Sequence, residues 1–189
     1  MSSIIVKKFV GYWVDNNIID EYDRDIYEYG FELLIFSLIN VVAILATAFI
    51  TNRIPESLAL LAATIPIQSF GGGYHADTHL RCWLITLAVM AAGVMMAETL
   101  PFLWRTAAAV PAAAALFFLA PVEHENAPFS ASFAGKMRRV VRILCIVYLA
   151  AAYLLRHFLP LLSACLSSGL ILSALALCAA RLRKRITVR

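Results

Sequence analysis

The chain has 189 residues, of which 62% are hydrophobic and 15% charged, with a net charge of +4 and a mean hydropathy of +0.80. Soluble domains run nearer ~45–50% apolar and ~25% charged, so this composition excludes a water-soluble enzyme and implies a polytopic membrane protein. No nucleic-acid partner is expected, and membrane lipids are expected contacts.

From the N-terminus, residues 3–14 set Ile4, Ile5, Phe9, Val10, Trp13 and Val14 among Lys7, Lys8 and Tyr12. That pattern predicts a short amphipathic helix lying in the membrane interface, lysines at the headgroups. Residues 15–28 are acidic and polar and belong in water or against a basic partner. Lys7, Lys8, Asp15, Asp20, Glu21, Asp23, Asp25 and Glu28 break up the first 29 residues, so no cleavable signal peptide is expected.

Tyr29-Gly30 opens the first of six apolar segments, at about 31–51, 56–70, 83–100, 104–120, 139–159 and 160–180. A helix crossing the bilayer perpendicularly needs ~20 residues, so the first, fifth and sixth are comfortable spanners. The second is short and holds Pro66 and Gln68; the fourth is short, Ala-rich and holds Pro111. Both are candidates for broken or re-entrant segments, whose irregular backbone is tolerated where protein shields it. The predicted fold is all-α, with about six transmembrane helices in a single integral membrane domain over 1–189. Residues 1–29 form its interfacial and acidic segment and residues 181–189 a basic tail.

Basic residues orient this layout. With six crossings and a cytoplasmic N-terminus, 13 of the 16 Lys+Arg fall inside, leaving only Arg53, Arg105 and Arg156 outside. This positive-inside bias places both termini, the stretch around residues 75–82 and the 121–137 loop on the cytoplasmic side.

That stretch reads Gly71-Gly72-Gly73-Tyr74-His75-Ala76-Asp77-Thr78-His79-Leu80-Arg81-Cys82. Cys82 is set among polar residues, whereas Cys145, Cys165 and Cys178 lie inside apolar segments, where a reduced thiol is a small hydrophobe. A thiol becomes a nucleophile when a nearby base or positive charge favours its thiolate. In one unbroken helix, His75 and Cys82 would sit ~10.5 Å apart along the axis. Proton transfer needs ~2.6–3.2 Å or one bridging water, so a His75–Cys82 dyad requires the chain to break and fold back. The three glycines supply that freedom. A helix is predicted to begin near Asp77 or Thr78, either of which can cap it, with Cys82 about one turn in and Arg81 and the helix dipole favouring the thiolate. Candidate oxyanion donors are backbone amides near the glycines or at that helix start.

Three further expectations concern single residues. His79 stands three residues before Cys82, one helical turn away, and is an alternative base. Glu98 reads as an ordinary interfacial acid. Asn40 reads as a hydrogen-bonding partner for a neighbouring helix.

Gly72-Gly73-Tyr74-His75-Ala76 followed by Arg81-Cys82 resembles the signature of the accessory gene regulator B (AgrB) family, membrane cysteine endopeptidases that process a quorum-sensing propeptide. Ala120-Pro121-Val122-Glu123, with Asn126 and Pro128, resembles the family's A-P loop, and Tyr29-Gly30 and the six-segment layout also fit. In one departure, the family usually carries arginine seven residues before the histidine, where this chain has Gln68.

The resemblance implies Cys82 as nucleophile and His75 as base, acting on a short amphipathic propeptide of the AgrD kind. A thioester acyl-enzyme would form, and a Cys or Ser within the substrate would close a thiolactone or lactone ring. No cofactor is implied, and a homodimer is left open. Residues expected to meet substrate are Gln68, Arg81, Glu123, Asn126, Arg138, Arg139 and Arg142, the last three by holding the propeptide's acidic C-terminal extension. Two other classes are carried beside this reading. H-x3-H-x2-C over His75, His79 and Cys82 would suit a membrane metal-dependent enzyme if one helix ran through all three. Broken second and fourth segments around a midplane site would suit a small transporter.

Overall fold

The computed structural model describes residues 4–74, 78–122 and 131–187, with the backbone alone at His79, Ala131 and 184–187. His75, Asp77, Glu123 and Asn126 therefore lie outside the described residues. The described chain is all-helical, in two compact units, residues 1–46 and 47–189.

In the first unit, helix α1 (Ile4–Asp15) covers the stretch expected to be amphipathic. Val6 and Val10, four apart and so on one face, are fully buried. Phe9 meets Phe31, and Trp13 meets Tyr27 and Phe31, at ring-centroid distances of 5.5–6.5 Å. The helix stops where Asn17 takes φ 55°, a left-handed conformation that Asn tolerates better than most residues. The Ile18 amide then reaches back to the Trp13 carbonyl at 2.8 Å. A 3₁₀ turn (Glu21–Asp23) leads into α2 (Arg24–Ile50), where Arg24 pairs with Glu21 and Glu28. This helix begins seven residues before the expected first apolar segment, because its polar first turn is held by those ion pairs. Asn40, expected to bond to a neighbouring helix, has its Oδ1 buried without a hydrogen-bond partner among the described residues.

Residues 47–189 contain the end of α2 and five further helices: α3 (Ile54–Gly71), α4 (His79–Thr99), α5 (Phe102–Leu119), α6 (Ala131–Leu154) and α7 (Pro160–Thr187). Helix α7 is central and packs against the other four. Its residues 163–170 are buried on every side, and they are mostly small: Ser163, Ala164, Cys165, Ser167, Ser168 and Gly169. Small residues let helix backbones approach closely, which matters where lipid gives no hydrophobic drive for helix association. At Gly169 an added Cβ would lie 2.8 Å from the Ala63 Cβ of α3, and at Gly93 of α4 it would lie 2.5 Å from a Leu172 methyl. Some buried hydroxyls bond to carbonyls, as with Ser163 to Ala152 and Thr64 to Leu60, whereas those of Ser168 and Ser173 have no partner among the described residues. Such bonds average only ~0.6 kcal/mol in membranes, so close packing carries more of the stability.

Among the described residues, four helical stretches are long and apolar enough to cross a membrane: 21–50, 80–99, 102–119 and 160–183. Six had been expected. The second and fifth segments fold as α3 and α6 but fall outside this set. Helix α3 carries Glu56, Pro66 and Gln68 in 18 residues, and α6 opens with Lys136, Arg138, Arg139 and Arg142. Neither the second nor the fourth segment is broken, since α3 and α5 run continuously through Pro66 and Pro111. Many large apolar side chains face outward on these helices, among them Leu84, Ile85, Met95, Val110, Phe118, Ile146 and Leu175. That exterior suits lipid, and with the apolar helices it marks a membrane protein.

The expected basic asymmetry reappears within this unit. Arg53, Arg105 and Arg156 gather at one end, with the paired Glu98. Arg138, Arg142, Arg181 and Arg183 gather at the other, around the ends of α3 and α5.

Candidate functional site

Helix α3 ends at Gly71, and the Gly72 amide closes its last turn onto the Gln68 carbonyl at 3.0 Å. Gly72 itself sits at φ 79°, ψ 160°, a region essentially closed to residues with a side chain. A second constraint acts there: an added Cβ would lie 2.6 Å from the Val122 carbonyl oxygen. The Val122 amide donates to the Gly71 carbonyl at 3.0 Å, so the start of the triple glycine is stitched to the chain after Ala120-Pro121. The two motifs singled out in the sequence, fifty residues apart, thus meet at one end of the helices. Gly72→Ala is expected to destabilise the protein by roughly 1–3 kcal/mol through strain at this φ and the carbonyl contact. A lowered midpoint of thermal unfolding in detergent checks this, with Gly73→Ala, whose Cβ would meet nothing within 4 Å, as comparison.

Helix α4 begins at His79, with Thr78 as its N-cap in extended conformation. The Thr78 hydroxyl accepts from the Arg81 amide at 3.4 Å, and the Thr78 carbonyl accepts from the Cys82 amide at 3.0 Å. Thr78 is thus one of the two residues expected to cap this helix. Cys82 stands one turn in, half-buried, with its carbonyl accepting from the Thr86 hydroxyl at 2.8 Å. Its amide makes the first intrahelical bond of α4, so the amides of His79 and Leu80 ahead of it have no intrahelical acceptor. They carry the positive end of the helix dipole, which favours a thiolate on the same turn. Arg81 is exposed beside it.

Helix α3 and helix α4 are separate, with residues 72–78 between them. The straight helix that would have held His75 and Cys82 ~10.5 Å apart is therefore absent. The metal reading asks for one helix through His75, His79 and Cys82; α4 begins after the extended Thr78, and His75 lies outside the described residues. The transporter reading loses its broken helices, because α3 and α5 are continuous.

The other cysteines lie as expected for structural thiols. Cys145 and Cys165 are buried, the latter donating to the Glu56 carbonyl at 3.6 Å, and Cys178 is partly buried.

Two of the arginines expected to meet substrate, Arg138 and Arg142, have structural partners that sequence reasoning missed. The last carbonyls of a helix lack intrahelical donors and carry partial negative charge. At the end of α5, Arg142 Nε donates to the Phe117 carbonyl and Arg138 Nε to the Ala120 carbonyl, both at 3.2 Å. Arg181 donates to Leu119, and Arg142 also stacks on the Phe117 ring at 4.7 Å. Arg138 and Arg142 are four apart on α6, so one face delivers both. The visible signal was there: a helix ending in Phe-Phe-Leu-Ala-Pro followed by arginines at helical spacing. Arg139 is exposed on another face. Arg183 lies over the Tyr74 ring at 5.9 Å, bringing the end of α7 beside the residue preceding His75. Gln68, where the family carries arginine, is half-buried on the last turn of α3.

Comparisons with known proteins agree with this arrangement. Residues 6–177 match the family described as Accessory gene regulator B. Over 69 residues the chain is 30% identical to AgrB-like protein 1 of Clostridium perfringens (strain 13 / Type A), a stretch covering 36% of this chain and 37% of that relative. No solved structure matches. The family match takes in the triple glycine, Cys82, the Ala120-Pro121 turn and nearly all of the helices that position them, and the chain belongs to the AgrB family.

Proposed function

We propose that this protein is a membrane-embedded cysteine endopeptidase that removes the C-terminal tail of a short quorum-sensing propeptide and lets the remainder cyclise. Membership of the AgrB family ties the chain to propeptide processing in quorum sensing. The observation that carries the specific chemistry is the break between α3 and α4, with Cys82 on the first turn of the second helix and His75 within the connection.

In this reading the Cys82 thiolate attacks the scissile carbonyl, a carbon–sulfur bond forms, and the carbon–nitrogen bond breaks. His75 takes the thiol proton and returns it to the leaving amine. A thiol or hydroxyl within the retained peptide then attacks the thioester, closing a ring and releasing Cys82. Water must be kept from the thioester for the ring to win, and a site at the membrane face serves that need. The Gly72 amide is committed to Gln68, so the oxyanion donors are drawn from the amides of Gly73, Tyr74, His79 and Leu80. Vesicles containing the purified protein and an amphipathic propeptide with a central Cys or Ser are expected to yield the free tail and a ring one water lighter than the linear fragment. Only linear fragment would leave a hydrolase and overturn the cyclisation.

The site faces the cytoplasm in this account, with six crossings and both termini inside. An impermeant thiol reagent should fail to label Thr78→Cys in intact cells of a Cys-free background and label it in inverted vesicles. Labelling from outside contradicts the orientation.

The arginines at this end hold the propeptide's acidic extension. Because Arg138 and Arg142 also secure α5, the variants should separate. Arg139→Gln is expected to raise KM several-fold and weaken its salt dependence at unchanged stability, as the Debye length falls from ~10 Å at 0.1 M to ~3 Å at 1 M. Arg138→Gln and Arg142→Gln are expected to lower thermal stability as well, each by roughly 0.3–2 kcal/mol for a cation lost from a helix C-terminus. Unchanged KM and salt dependence in all three variants would put substrate recognition elsewhere.

A further inference from the structure

The end of residues 47–189 remote from Cys82 holds a basic cluster that peptide processing does not use. A cavity of about 320 Å³ opens between the start of α5, the α6–α7 turn and the first turn of α7. It is lined by Phe102, Arg105, Arg156, His157, Pro160 and Ser163, and its size falls within the ~300–1,000 Å³ range of small-molecule sites.

Two guanidinium groups share this space. Arg105 is 7% exposed and donates to the Ala97 and Leu100 carbonyls at 3.1 and 2.6 Å, while its Nε is buried without a partner. Arg156 lies over the Tyr153 and Phe102 rings at 4.4 and 5.2 Å and donates its Nε to His157 Nε2 at 2.8 Å. Among the described residues, the recorded ion pairs join Arg24 to Glu21 and Glu28 and Arg53 to Glu98, and no carboxylate is paired with Arg105 or Arg156. Carbonyl dipoles at the end of α4 offset part of the Arg105 charge, but neutralising two cations takes an anion. Helix α7, starting at Pro160, adds the positive end of its dipole to the same space.

The surroundings select among anions. Leu103, Trp104, Tyr153, Leu154, Phe158 and Leu159, at the ends of α5 and α6 and in the α6–α7 turn, are all more than half exposed. A soluble phosphate has no use for such a rim. A phospholipid uses both parts, phosphate between the arginines and acyl chains along the apolar collar, with Trp and Tyr at the headgroup level.

We propose that this cavity binds one anionic phospholipid, its phosphate held between Arg105 and Arg156. The site is independent of the peptidase chemistry at the other end. Its test uses the full-length protein, stripped of lipid in neutral detergent and read by native mass spectrometry with added phosphatidylglycerol. One retained phosphatidylglycerol per chain is expected, weakened about fivefold or more by Arg156→Gln, which spares the α4 end that Arg105 secures. Lys136→Gln, which removes an exposed positive charge at the start of α6, should leave retention unchanged. Retention in Arg156→Gln at wild-type affinity overturns the proposal, as does equal loss in Lys136→Gln or equal affinity for phosphatidylcholine. Displacement of the lipid by an equal concentration of glycerol 1-phosphate overturns it in favour of a soluble phosphate.

Discussion

Cys82→Ala is expected to abolish release of the propeptide's C-terminal tail while leaving the helices folded. Removing the nucleophile of a hydrolase costs on the order of 10⁶ in turnover, far beyond what a packing change at one half-buried residue produces. The two bonds recorded at this residue are made by its backbone, to the Thr78 carbonyl and from the Thr86 hydroxyl, and both survive in alanine. The comparison variant replaces Cys145 and Cys178 by Ala and Cys165 by Ser. It is expected to cleave at a normal rate with some loss of stability, since Cys145 and Cys165 are buried and Cys165 bonds to the Glu56 carbonyl. Tail release that persists in Cys82→Ala removes the cysteine mechanism.

The second large effect separates the two histidines. His75→Ala is expected to lose the roughly 10²–10⁴-fold that a general acid–base contributes, and His79→Ala distinctly less. Spacing alone favours His79, the first residue of α4, three before Cys82 on the same helix. What favours His75 is its place in the sequence directly after Gly72-Gly73-Tyr74, where the resemblance to the family puts its histidine. The reverse ranking would return the base to α4. Equal large losses, with zinc bound stoichiometrically to the purified protein, would restore the metal reading despite the break between helices.

Helix existence was legible because each apolar run exceeds the length of any strand and carries no strand alternation. The start of α4 was legible from chemistry alone, since Thr78 can cap and the glycines before it cannot continue a helix cheaply. Prolines misled: Pro66 and Pro111 suggested broken segments, yet both helices continue through them, packed against α7. Long-range pairings were beyond reach. Nothing local says that Val122 bonds to Gly71, that Arg53 pairs with Glu98, or that Arg138 and Arg142 secure the end of α5. These depend on which helix ends share a face of the membrane, a property of topology rather than of any window of sequence. The candidate nucleophile was legible for a simpler reason: among four cysteines, Cys82 had polar neighbours.

The central claim is a covalent acyl-enzyme on Cys82, and it is most directly tested by trapping that species. Purified protein in vesicles is mixed with a propeptide whose internal Cys or Ser is replaced by Ala, so that no ring can form, then quenched in acid and digested for mass spectrometry. The account predicts the N-terminal peptide fragment joined to Cys82 as a hydroxylamine-sensitive thioester, absent from Cys82→Ala. Continued tail release with no adduct, or an adduct on any other residue, would contradict it.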